Sequence, residues 1–343
     1  MKGLILAARG SDDELTLISG GRAPQTFPVA NVPLIHHALY AVSRAGAGEI
    51  GIVVSSDTAA DVRACAGEGH TYIDAAPEAN LVDALLAARD FLGDEPFIVQ
   101  AGDGLLLDPL EPIVEAYEAS GVDAVLLVRP GDEKGVTDID SKRLLRLVDD
   151  KPLPPAEHLL AGVYVFGPEV LEVAGKVAGR GVASVIAALV EAGGSFETRP
   201  CGATCWKYAG TSEDLLEANR MVLDEIETET GEADLSRARI TGRVSIHPTA
   251  ILDRATIRGP AVIGPGAVLV DTFVGPYTSI AEGARLEGAE LEFSIVLSGA
   301  TIRHPGKRIE ASLVGQEASI TRDFALPAAI KLRVGRGAEV SLA

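Results

Sequence analysis

The chain has 343 residues, 47% of them hydrophobic, enough to bury one large core or two unequal ones. Lys and Arg number 30 against 49 Asp and Glu, a formal charge of −19. So acidic a chain repels nucleic acid and anionic membranes, and neither is expected as a partner, although one local cation is enough to hold a small phosphorylated ligand.

GLILAA (3–8) reads as a strand buried on both faces, and VPLIHHALYAVSRAG (32–46) as an amphipathic helix with a Gly stop. EIGIVVSS (49–56) is a second buried strand, and DTAADVRACAGEG supplies a short helix. ANLVDALLAARDFLG (79–93) reads as one helix and EPFIVQAGDGLLL (95–107) as one strand. A helix at 109–121, strands at 122–129, 143–150 and 159–166, and a helix at 182–194 follow. The last helix of this series is SEDLLEANRMVLDEIETE (212–229), with Ser212 as its cap and an acidic first turn. Apolar strands alternating with helices predict an α/β sheet covered on both faces.

Near residue 235 the texture changes. Ile240 and Ile246, then Ile257, Ile263 and Leu269, keep a six-residue step with a slip between them, and Ile280 and Leu286 resume it after another slip. One small aliphatic residue per step, with Gly or Asn-like residues at the corners, predicts a three-sided parallel β-helix. Its coils are few, so packing against the first domain or a neighbouring subunit is expected, and with it a homo-oligomer, dimer or tetramer.

The cysteines, Cys65, Cys201 and Cys205, have no metal or redox spacing, and their odd number suits a reducing compartment. The opening MKGLILAARG falls short of a signal peptide's apolar core, and no run approaches a membrane span. A cytoplasmic location is expected.

In a doubly wound sheet, ligands sit beyond the carboxyl ends of the strands. Asp103 in QAGDGLLL stands there, flanked by glycines, as a candidate Mg²⁺ ligand or a turn former. Gly10, in the first loop, is a candidate for phosphate contact through its backbone N–H. Lys151 in VDDKPLPP is either a sugar-phosphate contact or a surface lysine, and Trp206 either a stacking platform or a plug at the sheet edge. His36 and His37 complete no metal spacing.

Taken in order, MKGLILA, PVANVPLI, AGEIGIVV, FLGDEPFIVQAGDG, DDKP, GVYVF and WKYAGTSEDLLEANR resemble the sugar-1-phosphate nucleotidyltransferases, in the glucose-1-phosphate thymidylyltransferase branch with a C-terminal left-handed β-helix. The resemblance covers residues 1–230. It implies a Rossmann-like, GT-A-like nucleotidyltransferase domain over 1–235 and a hexapeptide-repeat β-helix over 236–343. It also implies the joining of a sugar 1-phosphate to a nucleoside triphosphate, with release of pyrophosphate and with Mg²⁺ as cofactor. Asp103 matches the family's first metal-binding Asp, Lys151 its sugar-phosphate lysine, and Asn80 part of its nucleotide-contacting stretch.

The departures concern charge. The family's loop resembling LAGG-x-GTR reads LAARGSDDE here, so its glycines fall on Ala8 and Arg9 and its arginine on Asp13 or Glu14. Its next lysine falls on Pro24, and its second metal-binding Asp on Tyr208. Arg9 and Arg22 are the candidate substitute cations. Two other functions compete with transfer: a non-catalytic homologue that binds a nucleotide sugar or regulates a partner enzyme, and a hexapeptide-repeat acyltransferase. The latter is disfavoured because His247 and His304 sit in ordinary turns.

Overall fold

The computed structural model describes residues 1–10, 18, 20–77, 79–130, 158–177, 181–201, 205–207 and 211–322. Contacts between backbones divide the chain into two compact units: Met1–Gly10, Ala23–Thr26 and Pro33–Lys207 form one, and Ser11–Arg22, Phe27–Val32 and Tyr208–Ala343 the other. No helix among the described residues is long and apolar enough to cross a membrane.

In chain order the strands up to Lys207 are β1 (Lys2–Ala7), β2 (Pro28–Val29), β3 (Val32–Pro33), β4 (Glu49–Val54), β5 (Thr71–Asp74), β6 (Phe97–Ala101), β7 (Gly104–Leu106), β8 (Ala124–Pro130), β9 (His158–Phe166), β10 (Phe196–Pro200) and β11 (Cys205–Lys207). The first unit is built on a 7-stranded sheet of order β10-β8-β9-β6-β1-β4-β5, in which only β9 runs antiparallel to its neighbours. Leu4 and Ile5 of β1 are both fully buried, on opposite faces. Two apolar layers therefore cover the sheet, which is why its strands read as unbroken hydrophobic runs. Leu4, Phe97 and Phe166 pack with the helices Leu81–Ala87, Glu169–Ala174 and Val182–Glu191; Ile5, Ile52 and Ile98 pack with Leu34–Arg44 and Glu111–Ser120. Each such side chain contributes about 1.5–3 kcal/mol on burial.

Two expected elements are interrupted. The 95–107 strand breaks at Gly102–Asp103, and β7 leaves the main sheet to pair antiparallel with β11. The 79–93 helix divides at Ala88 into Leu81–Ala87 and Arg89–Leu92. The helix Ser212–Glu225 is capped by Thr211 rather than by Ser212: Thr211 Oγ1 accepts from Asp214 N at 3.2 Å, and the Asp214 carboxylate accepts from Thr211 N at 3.2 Å. The expected strand at 143–150 lies outside the described residues.

The second unit contains three 5-stranded parallel sheets, the three sides of a β-helix consistent with the left-handed kind. Ile240 pairs with Ile257, Ile246 with Ile263, and Leu252 with Leu269, so the first circuit advances 17 residues, whereas Leu286 to Ile302 advances 16 and Leu291 to Ile309 advances 18. The expected six-residue step therefore holds on two sides only. From Leu252 to Ile257 it shortens to five, because one corner is tighter. Ile246, Ile263 and Ile280 stack inside one column, and Leu252, Leu269, Leu286 and Ile302 inside another.

Corners differ from expectation as well. Arg254, Asp271 and His304 take positive φ where Gly or Asn was expected. Each such corner costs of order 1 kcal/mol. Between coils, the Arg254 guanidinium grips the Asp271 carboxylate at 2.5 and 2.6 Å and holds it below the usual carboxylate range. Gly259 is obligatory for another reason, since a Cβ there would lie 1.8 Å from Arg243 O. Helix Ser212–Glu225 joins this unit through Asn219, which is fully buried. Its Oδ1 accepts from Ala30 N at 2.8 Å and Ser279 Oγ at 2.6 Å, and its Nδ2 donates to Tyr277 O at 3.1 Å.

Replacing Ile263, which is 1% exposed in the middle of its column, tests this packing. Ile263→Ala should cost about 2–5 kcal/mol. Ile263→Asp should cost more than that, because it strands a charge among aliphatic side chains. Urea unfolding followed by far-ultraviolet circular dichroism measures both.

Candidate functional site

The site candidates that the structure brings together lie where β1 and β6 end side by side. The two strands pair in parallel from Lys2 with Phe97 to Leu6 with Ala101. The chain after β1 continues through Ala8 to Arg9 and Gly10, and the chain after β6 through Gly102 to Asp103. Gly102 N donates to Leu6 O at 2.9 Å. A Cβ on Gly102 would lie 3.0 Å from that carbonyl, 3.1 Å from Ile5 Cγ2 and 3.3 Å from Gln25 Cγ, so a side chain there would have to push its neighbours aside by a few tenths of an ångström.

Asp103 is thereby held inward, its side chain only 8% exposed. Arg9 Nη1 lies 3.7 Å from Asp103 Oδ2, an ion pair too long for a direct hydrogen bond. A carboxylate this deeply buried needs a compensating charge, and Arg9 supplies one. The Arg9 backbone is fixed in turn, because its carbonyl accepts from Gln25 Nε2 at 3.1 Å. Gln25 sits fully buried in the short 3₁₀ turn Pro24–Thr26, which is hooked in place by Ala23 N donating to Asp61 Oδ2 at 3.0 Å. Thr58 Oγ1 donates to Ala7 O at 2.7 Å and accepts from Ser55 N at 3.0 Å, tying the turn after β4 to the end of β1.

Two other candidates, Asn80 and Arg22, have side-chain partners of their own. Asn80 caps Leu81–Ala87, accepting from Val82 N at 2.9 Å and Asp83 N at 3.4 Å while Asp83 accepts from Asn80 N. Arg22 is exposed and donates to Gln316 Oε1. Gly10 is half-buried. Lys151 and Tyr208 lie outside the described residues. His247 Nδ1 pairs with Thr249 Oγ1 and N in a turn, and His304 Nε2 lies 3.6 Å from Glu287. Sequence reasoning missed Gln25 and Gln100. Both are buried, and neither Oε1 has a hydrogen-bond partner among the described residues. The signal was there in FIVQAGDG, where Gln100 is the one polar residue in an apolar strand.

Mg²⁺ at Asp103 would lie beside the Arg9 guanidinium. That ion asks for six oxygen ligands, usually one or two carboxylates with phosphates and waters. The guanidinium beside the carboxylate sets the electrostatics there. Two unit charges 4 Å apart repel by about 1 kcal/mol in water and about 4 at an effective dielectric of 20, and a divalent ion doubles both.

Three comparisons bear on these residues. The family profile described as Nucleotidyl transferase matches residues 2–225. A glucose-1-phosphate thymidylyltransferase of Streptomyces griseus is 34% identical, covering 98% of each chain. One from Streptomyces antibioticus is 31% identical over 100% of this chain and 99% of its own. The low-salt glycan biosynthesis nucleotidyltransferase Agl11 of Haloferax volcanii is 31% identical over the whole of both. A solved Bacillus anthracis structure, provisionally assigned as a glucose-1-phosphate thymidylyltransferase, superposes with a TM-score of 0.55 at 21% identity, covering 67% of this chain and 98% of its own, and shares the fold.

Gly102→Ala should destabilise by about 1–3 kcal/mol through overpacking against Leu6 O and Ile5. Denaturant unfolding of the full chain checks it. A variant as stable as the wild type would mean that the ends of β1 and β6 are not in close contact.

Proposed function

The chain belongs to the nucleotidyl transferase family, in its glucose-1-phosphate thymidylyltransferase branch, and on that premise we propose that it binds a nucleotide sugar, or the nucleotide and sugar phosphate from which one is made, at the ends of β1 and β6. We further propose that it performs ordinary nucleotidyl transfer far more slowly than a typical enzyme. The observation that carries this reading is the Arg9–Asp103 ion pair at the ligand end of the sheet.

In the reaction of this class, a sugar-phosphate oxygen attacks the α-phosphorus of a nucleoside triphosphate. The bond to the β-phosphate oxygen breaks, and pyrophosphate leaves. Negative charge gathers on groups that already carry it, so catalysis is mainly positioning and electrostatic stabilisation. Among the described residues Arg9 is the cation paired with the buried Asp103 carboxylate. Pro24, where the family's lysine falls, opens a buried turn and brings no charge. Losing one such stabilising group typically costs about 3 kcal/mol, a hundredfold or more in rate. Nucleotide binding tolerates these changes better than turnover, because the backbone frame around Gly102, Gln25 and Arg9 remains intact.

Pyrophosphate release, assayed across the common nucleoside triphosphates and several sugar 1-phosphates, should stay below about 0.01 per second, while calorimetry detects binding of at least one dTDP- or other nucleoside diphosphate sugar. Ordinary enzymes reach about 1 per second or more. A rate in that range would contradict the slow-transfer reading. Absence of binding to any nucleotide or nucleotide sugar would contradict the ligand reading.

A further inference from the structure

We propose that one side of the β-helix is the contact face of a homodimer, in which two copies of this chain pack antiparallel about a two-fold axis that runs along the strands and passes beside Phe273. That side is the parallel sheet of Ala238–Thr241, Ala255–Arg258, Phe273–Val274, Glu290–Glu292 and Ile309–Glu310. It lies wholly in the second unit, and the inference is independent of the functional reading above.

Strand register lays out the outward residues. Ile240, Ile257, Val274 and Leu291 face the aliphatic core, so the alternate positions face out. Arg239, Thr256, Phe273, Glu290 and Arg308 make one outward row across the coils, and Thr241, Arg258, Gly275, Glu292 and Glu310 the other. The first two strands therefore carry Arg239 and Arg258, and the last two carry Glu290, Glu292 and Glu310 with Arg308. Arg308 is shared between Glu290 at 3.4 Å and Glu292 at 2.9 Å. Arg239, Arg258 and Glu310 are exposed, and among the described residues none of the three has an opposite charge within ion-pair distance. One end of the face thus holds an excess of two positive charges and the other an excess of two negative ones. Between them is the uncharged strand of Phe273, whose half-buried ring lies 5.5 Å from the Arg258 guanidinium and 5.3 Å from that of Arg308.

A charge pattern that inverts across its middle strand is complementary to itself when turned over. Rotation about an axis along the strands sets the first strand of one copy on the fifth of the other, the second on the fourth and the third on the third. Arg258 then faces Glu292 of the partner subunit, Arg239 comes beside the partner's Glu310, and the two Phe273 rings meet at the axis. The strands of both copies stay aligned, as in packed sheets generally. Packing the coils in the same direction would instead set like charges on each other. The six charged residues of this side sum to zero on a chain of net charge −19, so two such acidic chains approach here with little net repulsion. Another side of the β-helix is already occupied, since Ser279 is buried and donates to Asn219 of the helix Ser212–Glu225.

Sedimentation velocity of the full chain at about 20 μM in low salt, where ionic contacts are screened least, is the test. The wild type should sediment as a dimer or a multiple of one. Arg258→Glu and Glu292→Arg each set like charges against each other twice in the dimer, and each should halve the mass. An equimolar mixture of the two variants should recover the wild-type mass, because in the mixed dimer both contacts again join opposite charges. Both positions face away from the aliphatic core, and far-ultraviolet circular dichroism checks the fold. Arg239→Glu with Glu310→Arg is a second pair for the same scheme should either variant fail that check. A monomeric wild type would overturn the proposal. So would folded single variants that keep the wild-type mass, because association would then use another surface. A mixture that stays at half the mass would overturn it too, because the two residues would not face each other.

Discussion

Parallel pairing of β1 with β4 on one edge and with β6 on the other brings three carboxyl ends to a single line. Everything chemical in the first unit hangs from that line. β4 sends its turn back to Ala7 through Thr58, β1 runs on to Arg9, and β6 turns at Gly102 to present Asp103. The register sets the distances. A one-residue slip between β1 and β6 would move Leu4 and Ile5 to the wrong faces and carry Asp103 away from Arg9. Burial on both faces of β1 prevents the slip, so the same apolar residues that make the core also position the ion pair.

Charge then decides what this line can do. An active site for phosphoryl chemistry concentrates positive charge where the transition state becomes more negative. Here a buried carboxylate draws on the Arg9 guanidinium, and the neighbouring turn offers a proline. The slow-transfer proposal rests on that pairing. In the second unit the economy is different. Its column of aliphatic side chains needs no charge, and its ionic contacts, such as Arg254 with Asp271, lie on exposed corners where they fix the stacking of coils at little energetic gain.

Much of this was legible in the residues before any coordinates. GLILAA declared a strand buried on both faces, and the isoleucines from Ile240 onward declared the β-helix. What was not legible depended on geometry between distant positions. The shortened step from Leu252 to Ile257 comes from a corner whose residues have ordinary side chains and unusual φ. The pairing of Arg9 with Asp103 follows from a strand register that no local pattern encodes. Thr211 and Ser212 are equivalent as caps on paper, and the choice is made by Asp214 completing a reciprocal bond with Thr211. Asn80 shows the reverse case. N-x-x-D at 80–83 is a capping signature in its own right, and the amide that family resemblance matches to a nucleotide contact also caps its own helix. Gln25 and Gln100 were overlooked because a lone amide in an apolar run looks like a tolerated exception.

The most direct measurement is a crystal structure of the full chain grown with a nucleoside triphosphate. The account predicts the Arg9 guanidinium within about 4 Å of the Asp103 carboxylate. An Arg9 side chain turned away from Asp103 would contradict it.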